Sequence, residues 1–138
     1  MKVCIVISNF YPKISKLLID GTTTKLKKKK IDFKIVEVPG AFEIPVIISN
    51  LVNKYDAFVA LGCIIKGKTS HYHYLCSSVI NALTRLSIKF KKPIGNGILT
   101  CDNMKQAIKR ADPKKKDKGG DAAEAVSSVL SIVEHESK

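Results

Sequence analysis

The chain has 138 residues, 45% hydrophobic and 26% charged, with 24 Lys and Arg against 12 Asp and Glu and a formal net charge of +12. That size and apolar content predict one globular domain over 1–138 with a sizeable core. With no apolar run long enough to span a bilayer and no signal peptide ahead of the first strand, a cytoplasmic protein without a membrane partner is expected. The positive charge raises nucleic acid as a partner, but the basic blocks Lys27 to Lys30 and Lys114 to Lys118 hold no interleaved aromatics, and arginine occurs only at Arg85 and Arg110. Solvated lysine faces that draw anionic substrates inward are expected instead of a nucleic-acid surface.

Lys2 to Ser8 reads as a buried strand, broken by Asn9-Phe10-Tyr11-Pro12, and Ile14, Leu17 and Leu18 begin a helix that runs to the lysine block. Ile31 to Val38 alternates as a second strand, and Pro39-Gly40 turns the chain. Ile44, Ile47, Ile48, Leu51, Val52 and Tyr55 then mark one face of a second helix, with Pro45 tolerable in its first turn. Phe58 to Ile65 is an apolar run suited to a strand buried on both faces. It breaks at Lys66-Gly67-Lys68, and Thr69 or Ser70 can cap the helix that follows. Strand, glycine turn and helix N-terminus aim free backbone N–H groups at one point, a geometry suited to phosphate, and His71 sits beside it in the first turn.

Gly62 followed after four residues by Gly67-Lys68-Thr69 satisfies the P-loop pattern. Its intervening residues, Cys63-Ile64-Ile65-Lys66, continue the strand run instead of forming a phosphate-wrapping loop, and the match reads as accidental. Tyr72, Cys76, Val79, Ile80, Leu83 and Phe90 follow at helical spacing. Pro93 to Leu99 is a fourth strand, and Asn103-x-x-Gln106 resembles a capping box opening a short helix through Arg110. Ala111 to Gly120 reads as a polar loop. Asp121-x-x-Glu124 opens a last helix with Ala122, Ala125, Val126, Val129 and Val133 inward. Cys4, Cys63, Cys76 and Cys101 form no Cys-x-x-Cys pair, which predicts buried free thiols and no metal site.

Alternating strands and helices predict an α/β fold, a three-layer α/β/α sandwich around a four-stranded parallel sheet. Ligands gather at the carboxyl ends of such strands. Four connections leave those ends: Asn9-Phe10, Gly40 to Glu43, Lys66 to His71, and the segment after Leu99.

Val38-Pro-Gly-Ala-Phe-Glu-Ile-Pro45 and Gly67-Lys-Thr-Ser-His71 resemble the 6,7-dimethyl-8-ribityllumazine synthase family, and the resemblance continues through Gly97-Ile-Leu-Thr100, Gln106-Ala107, Arg110-Ala111, Lys118-Gly119 and Ala122-Ala123. It covers nearly the whole chain in order and implies the flavodoxin-like form of the sandwich. It also implies an enzyme that condenses 5-amino-6-(D-ribitylamino)uracil with 3,4-dihydroxy-2-butanone 4-phosphate without a cofactor or metal. An imine forms, phosphate leaves, and ring closure gives the lumazine, the penultimate step of riboflavin synthesis.

The resemblance assigns Phe10 to stacking on the pyrimidine, and Ala41, Phe42 and Glu43 to the ribityl chain. Cys63, Ile64 and Ile65 line the pyrimidine pocket. Lys68 and Thr69 belong to the turn that holds phosphate, Arg110 clamps that phosphate, and His71 carries protons. Lys118 reaches the pyrimidine carbonyl from a neighbouring subunit, and Asn96 contacts the substrate through its backbone. Taken alone, Glu43 is a helix N-terminal charge, Arg110 a cation in a last helical turn, and Lys118 a solvated lysine. Three positions depart from the family: Lys66 replaces the usual arginine, His73 a common aspartate, and Asn96 a frequent phenylalanine.

The family further implies a homopentamer with active sites between subunits. The first strand begins at Lys2 or Val3, leaving no N-terminal arm, and Asp112-Pro-Lys-Lys-Lys-Asp-Lys118 would repel across contacts between rings. An isolated pentamer is expected, with a pair of pentamers second. Two other functions compete: a flavin- or lumazine-binding module without catalysis, and a P-loop triphosphatase.

Overall fold

The computed structural model describes residues 1–138. Four strands, β1 (Lys2–Ser8), β2 (Asp32–Val38), β3 (Ala57–Ile65) and β4 (Ile94–Cys101), alternate with α1 (Pro12–Lys28), α2 (Ile44–Leu51), α3 (His71–Phe90), α4 (Met104–Ala111) and α5 (Lys118–Glu136). A short 3₁₀ turn, Ala41–Glu43, leads into α2. All strand pairs are parallel, in the order β2-β1-β3-β4. This is the three-layer α/β sandwich that the alternation of elements predicts, in the flavodoxin-like form that the resemblance implies.

The strand period of two divides the core. Val3, Ile5 and Ile7 of β1 with Val59 and Leu61 of β3 pack against Ile14 and Leu18 of α1, Ala107 of α4 and Val126 of α5. Cys4, Val6, Phe58, Ala60 and Ile64 face the other way, onto Ile44 and Ile48 of α2 and Val79 and Leu83 of α3. The two central strands are therefore apolar on both faces, whereas β2 and β4 are edges. On β4, the Asn96 side chain bends back so that its Oδ1 accepts from Ile98 N at 3.0 Å.

Several boundaries differ from the sequence expectation. Strand β4 runs on to Cys101 because Ile65 pairs with it and Lys66 N donates to Cys101 O at 2.8 Å. Asn103 caps α4 through Oδ1 to Gln106 N, but the Gln106 side chain accepts from Asp102 N, one residue before the reciprocal capping-box partner. Tyr55 lies beyond α2 and packs its ring edge-on against Phe58.

The largest difference is at α5, which starts at Lys118 and not at Asp121. Asp117, in the left-handed region at φ 46°, caps it by accepting from Gly120 N at 3.1 Å. Gly119 and Gly120 read as loop glycines, yet they are buried in the first turn against α1. A Cβ on Gly119 would collide with Leu18 O and lie 2.8 Å from Thr22 Oγ1. The glycines let the helices approach, and Thr22 Oγ1 donates to Gly119 O at 3.0 Å. Farther on, Ala125, Val129 and Val133 are exposed, not inward: they form a separate i, i+4, i+8 row beside the face of Ala122, Ala123, Val126 and Leu130 that packs on the core.

Candidate functional site

The β1–α1 turn is pinned twice to the end of β2. Asn9 N donates to Val38 O at 3.0 Å and Asn9 Nδ2 to Glu37 Oε1 at 2.7 Å. Phe10 follows and stands 66% exposed, its ring edge-on to Tyr11 with centroids 4.9 Å apart. An apolar ring held out by a fixed turn is not a core residue. Phe42 is 59% exposed on the 3₁₀ turn, with Ala41 buried behind it. Glu43 folds over Gly40, and its carboxylate makes no hydrogen bond or ion pair.

These residues wall a cleft of about 510 Å³ at the carboxyl ends of β1 and β3. Cys63, Ile64 and Ile65 form its floor, and Gly67, Thr69 and His71 close one end. The backbone N–H groups of Gly67, Lys68, Thr69 and Ser70 donate to no protein acceptor. Thr69 Oγ1 accepts from His71 N at 3.3 Å, while Ser70, the residue before the helix, makes no side-chain cap. Free amides at a helix N-terminus beside an imidazole form a natural anion site. The Lys68 side chain is not part of the cleft wall; only its amide belongs to the turn. His73 points elsewhere, its ring against Tyr72 at 5.1 Å.

Burial pushes the Cys63 thiol up to about 12, and the neighbouring Cys101 adds to the shift. Cys63 is therefore a small apolar wall and no nucleophile. Burial likewise raises the Tyr11 and Tyr72 phenols, which stay protonated as potential donors in the cleft. Neither tyrosine was legible from the resemblance. Position could have found them: Tyr11 adjoins Phe10, and Tyr72 adjoins His71, with Leu75 one turn later on the same wall.

Asn96, Arg110 and Lys118 are not in that cleft. They line a second cavity of about 460 Å³ along β4 between Asn96 and Thr100, and the two cavities share no residue. Arg110 Nη1 donates to Thr100 O at 3.1 Å and lies 3.6 Å from Cys101 Sγ, which fixes the guanidinium over the strand end. Lys116, indistinguishable in sequence from the rest of its lysine run, joins the wall.

Of the four residues between Gly62 and Gly67 that a P-loop would need as a loop, Cys63, Ile64 and Ile65 are strand instead, paired with β4 from Gly62–Ile98 to Ile65–Cys101. The triphosphatase reading falls with them. No group of three or more His, Cys, Asp or Glu could hold a metal ion, and no helix is long and apolar enough to cross a membrane.

A family model described as 6,7-dimethyl-8-ribityllumazine synthase matches residues 1–134. The 6,7-dimethyl-8-ribityllumazine synthase of Bartonella tribocorum (strain CIP 105476 / IBS 506) is 41% identical over 134 residues, 94% of this chain and 88% of its own length. The protein of the same name from Cutibacterium acnes (strain DSM 16379 / KPA171202) is 38% identical over 136 residues, 96% of this chain and 82% of its own.

Proposed function

This chain belongs to the 6,7-dimethyl-8-ribityllumazine synthase family, and from that premise we infer its reaction: condensation of 5-amino-6-(D-ribitylamino)uracil with 3,4-dihydroxy-2-butanone 4-phosphate, releasing phosphate and water. The amino group of the uracil attacks the ketone and an imine forms with loss of water. Phosphate is eliminated, the resulting enol tautomerises to a carbonyl, and the ribitylamino nitrogen attacks that carbon and closes the ring with loss of a second water. Phe10 offers its exposed face to the pyrimidine over the floor of Cys63, Ile64 and Ile65. Ala41 and Phe42 with the unpaired carboxylate of Glu43 take the ribityl hydroxyls. The free amides at Lys68 and Thr69 receive phosphate, and His71 moves protons between the condensing groups. No cofactor takes part.

One observation carries the reading: the candidate residues divide between two cavities of a single chain. The cleft holding Phe10, Glu43 and His71 has no Lys or Arg in its wall, whereas the β4 cavity holds Arg110, Lys116 and Lys118. A phosphate ester beside an aminouracil needs both. We therefore assign Asn96, Arg110 and Lys118 to the site of the adjacent subunit, in a homopentamer of single-domain chains acting in the cytoplasm. A monomer is then inactive.

Mixing both substrates with purified protein, and following lumazine absorbance together with phosphate release, tests the reaction. A binding module would take up the lumazine and form none. Light scattering after size exclusion tests the assembly. The expected mass is about five chains, and an active monomer would refute the shared site.

A further inference from the structure

Lys116 stands in a run of lysines and reads in the sequence as one more solvated charge. The fold of its loop gives it a different setting. Asp112 organises the segment: Oδ1 accepts from Lys114 N at 2.9 Å, and its carbonyl accepts from Lys115 N at 2.9 Å and Asp117 N at 3.1 Å. Lys116 N in turn donates to Lys109 O at 3.2 Å, tying the residue to the last turn of α4, the turn that carries Arg110. Lys116 thus lines the β4 cavity with Arg110 and Lys118, while Lys114 and Lys115 do not.

The charge balance of that cavity is one-sided. Three cations line it and no carboxylate does. Lys118 has a loose partner in Asp121 at 3.9 Å, and Arg110 commits one amino group to Thr100 O. Lys116 has no acidic partner within ion-pair distance. Convergence from α4, its following loop and the start of α5 concentrates positive potential where a doubly charged anion gains most. An arginine supplies oriented, paired donors, and a flexible lysine beside it supplies charge without fixed geometry.

We propose that Lys116 is a second phosphate-binding side chain, acting with Arg110 on the phosphate ester and on the inorganic phosphate released from it, while Lys118 in the same cavity serves the pyrimidine carbonyl. The inference rests on the shared-site reading above. It makes Lys116 a residue of affinity for one substrate only.

Lys116→Ala should raise KM for the butanone phosphate by about threefold to fivefold at low salt, as for a partly exposed charge contact. The inhibition constant of inorganic phosphate should rise by the same factor. Both effects should shrink in about 0.5 M salt, where screening is nearly complete. The KM for the aminouracil and kcat should hold, and Lys116→Arg should behave as wild type. Lys115→Ala removes the same charge one residue away, outside the cavity, and should leave both constants unchanged. Equal effects from Lys115→Ala and Lys116→Ala would reduce the role to net charge and overturn the proposal. So would an unchanged KM for Lys116→Ala while Arg110→Ala raises it. If Arg110→Ala also leaves that KM unmoved, the shared-site reading itself is wrong and Lys116 falls with it.

Discussion

Two impaired variants of this protein should restore each other when assembled together. His71→Ala removes the proposed proton carrier from the Phe10 cleft and should slow condensation by about 10²-fold or less, because positioning and the anion site remain. Arg110→Ala removes the proposed phosphate clamp from the β4 cavity; its side chain reaches over Thr100 and Cys101 from the last turn of α4, so the fold should survive. In a ring assembled at random from equal amounts, a site is intact when its cleft comes from an Arg110→Ala chain and its cavity from a His71→Ala neighbour. Each condition holds half the time, so about one quarter of the sites should be wild type in composition. Co-unfolding the two variants, refolding the mixture and measuring lumazine formation should therefore give roughly a quarter of the wild-type rate, well above the mean of the parents. Mixing the already assembled variants should give only that mean. A self-contained site would carry one lesion in every chain, and a refolded mixture no faster than its parents would refute the argument.

Two further substitutions test the frame. Gly119→Ala would gain roughly 1 kcal/mol in an ordinary helix interior. Here the added methyl meets the backbone of α1, which cannot yield, and threatens the Thr22–Gly119 hydrogen bond. A net loss of about 1–3 kcal/mol is expected in urea unfolding, and an unchanged or raised midpoint would show that the helices are not in close contact. The second test concerns Cys63, whose thiol burial pushes up to about 12. The unfolded thiol ionises near 8.5, so as pH rises the unfolded chain loses this proton first and unfolding is favoured. Stability contributed by the protonated thiol is complete below that pH and should fall by about 1.4 kcal/mol per pH unit above it, until the folded thiol ionises. Cys63→Ala should flatten the slope between about pH 9 and 11; an identical slope would mean that other groups set it.

The sequence was most legible where one physical rule decided the outcome. The apolar runs of β1 and β3 could only be doubly buried strands, and the alternation of elements could only place Phe10, Glu43 and His71 at one sheet edge. It was least legible where two rules conflict. Gly119 and Gly120 weaken a helix by propensity, and that argument puts α5 too late. Contact with α1 overrides it, and contact at long sequence separation leaves no local mark. Val129 and Val133 show the converse: helical spacing marks an apolar stripe, but not whether the chain itself covers it. At Asn96 the departure from the family has a local account, since the side chain occupies the Ile98 amide on an otherwise unpaired edge.

Periodicity and composition carry no mark of a divided site, which only the family resemblance implied, and the chemistry of the two halves explains why the division matters. Leaving Phe10 and Phe42 exposed forgoes about 2 kcal/mol of burial for each ring, a cost that only a ligand or a neighbour covering them can offset. The cleft around them offers aromatic faces, a free carboxylate, an imidazole and unpartnered amides, but no lysine or arginine to balance a phosphate. The cavity on β4 offers three cations over a polar strand edge, but no aromatic face and no acid or base to move a proton. Either half alone would bind part of one substrate. In the proposed shared site the β4 cavity of one chain faces the cleft of the next, so that stacking, proton transfer and charge neutralisation meet around the same pair of molecules.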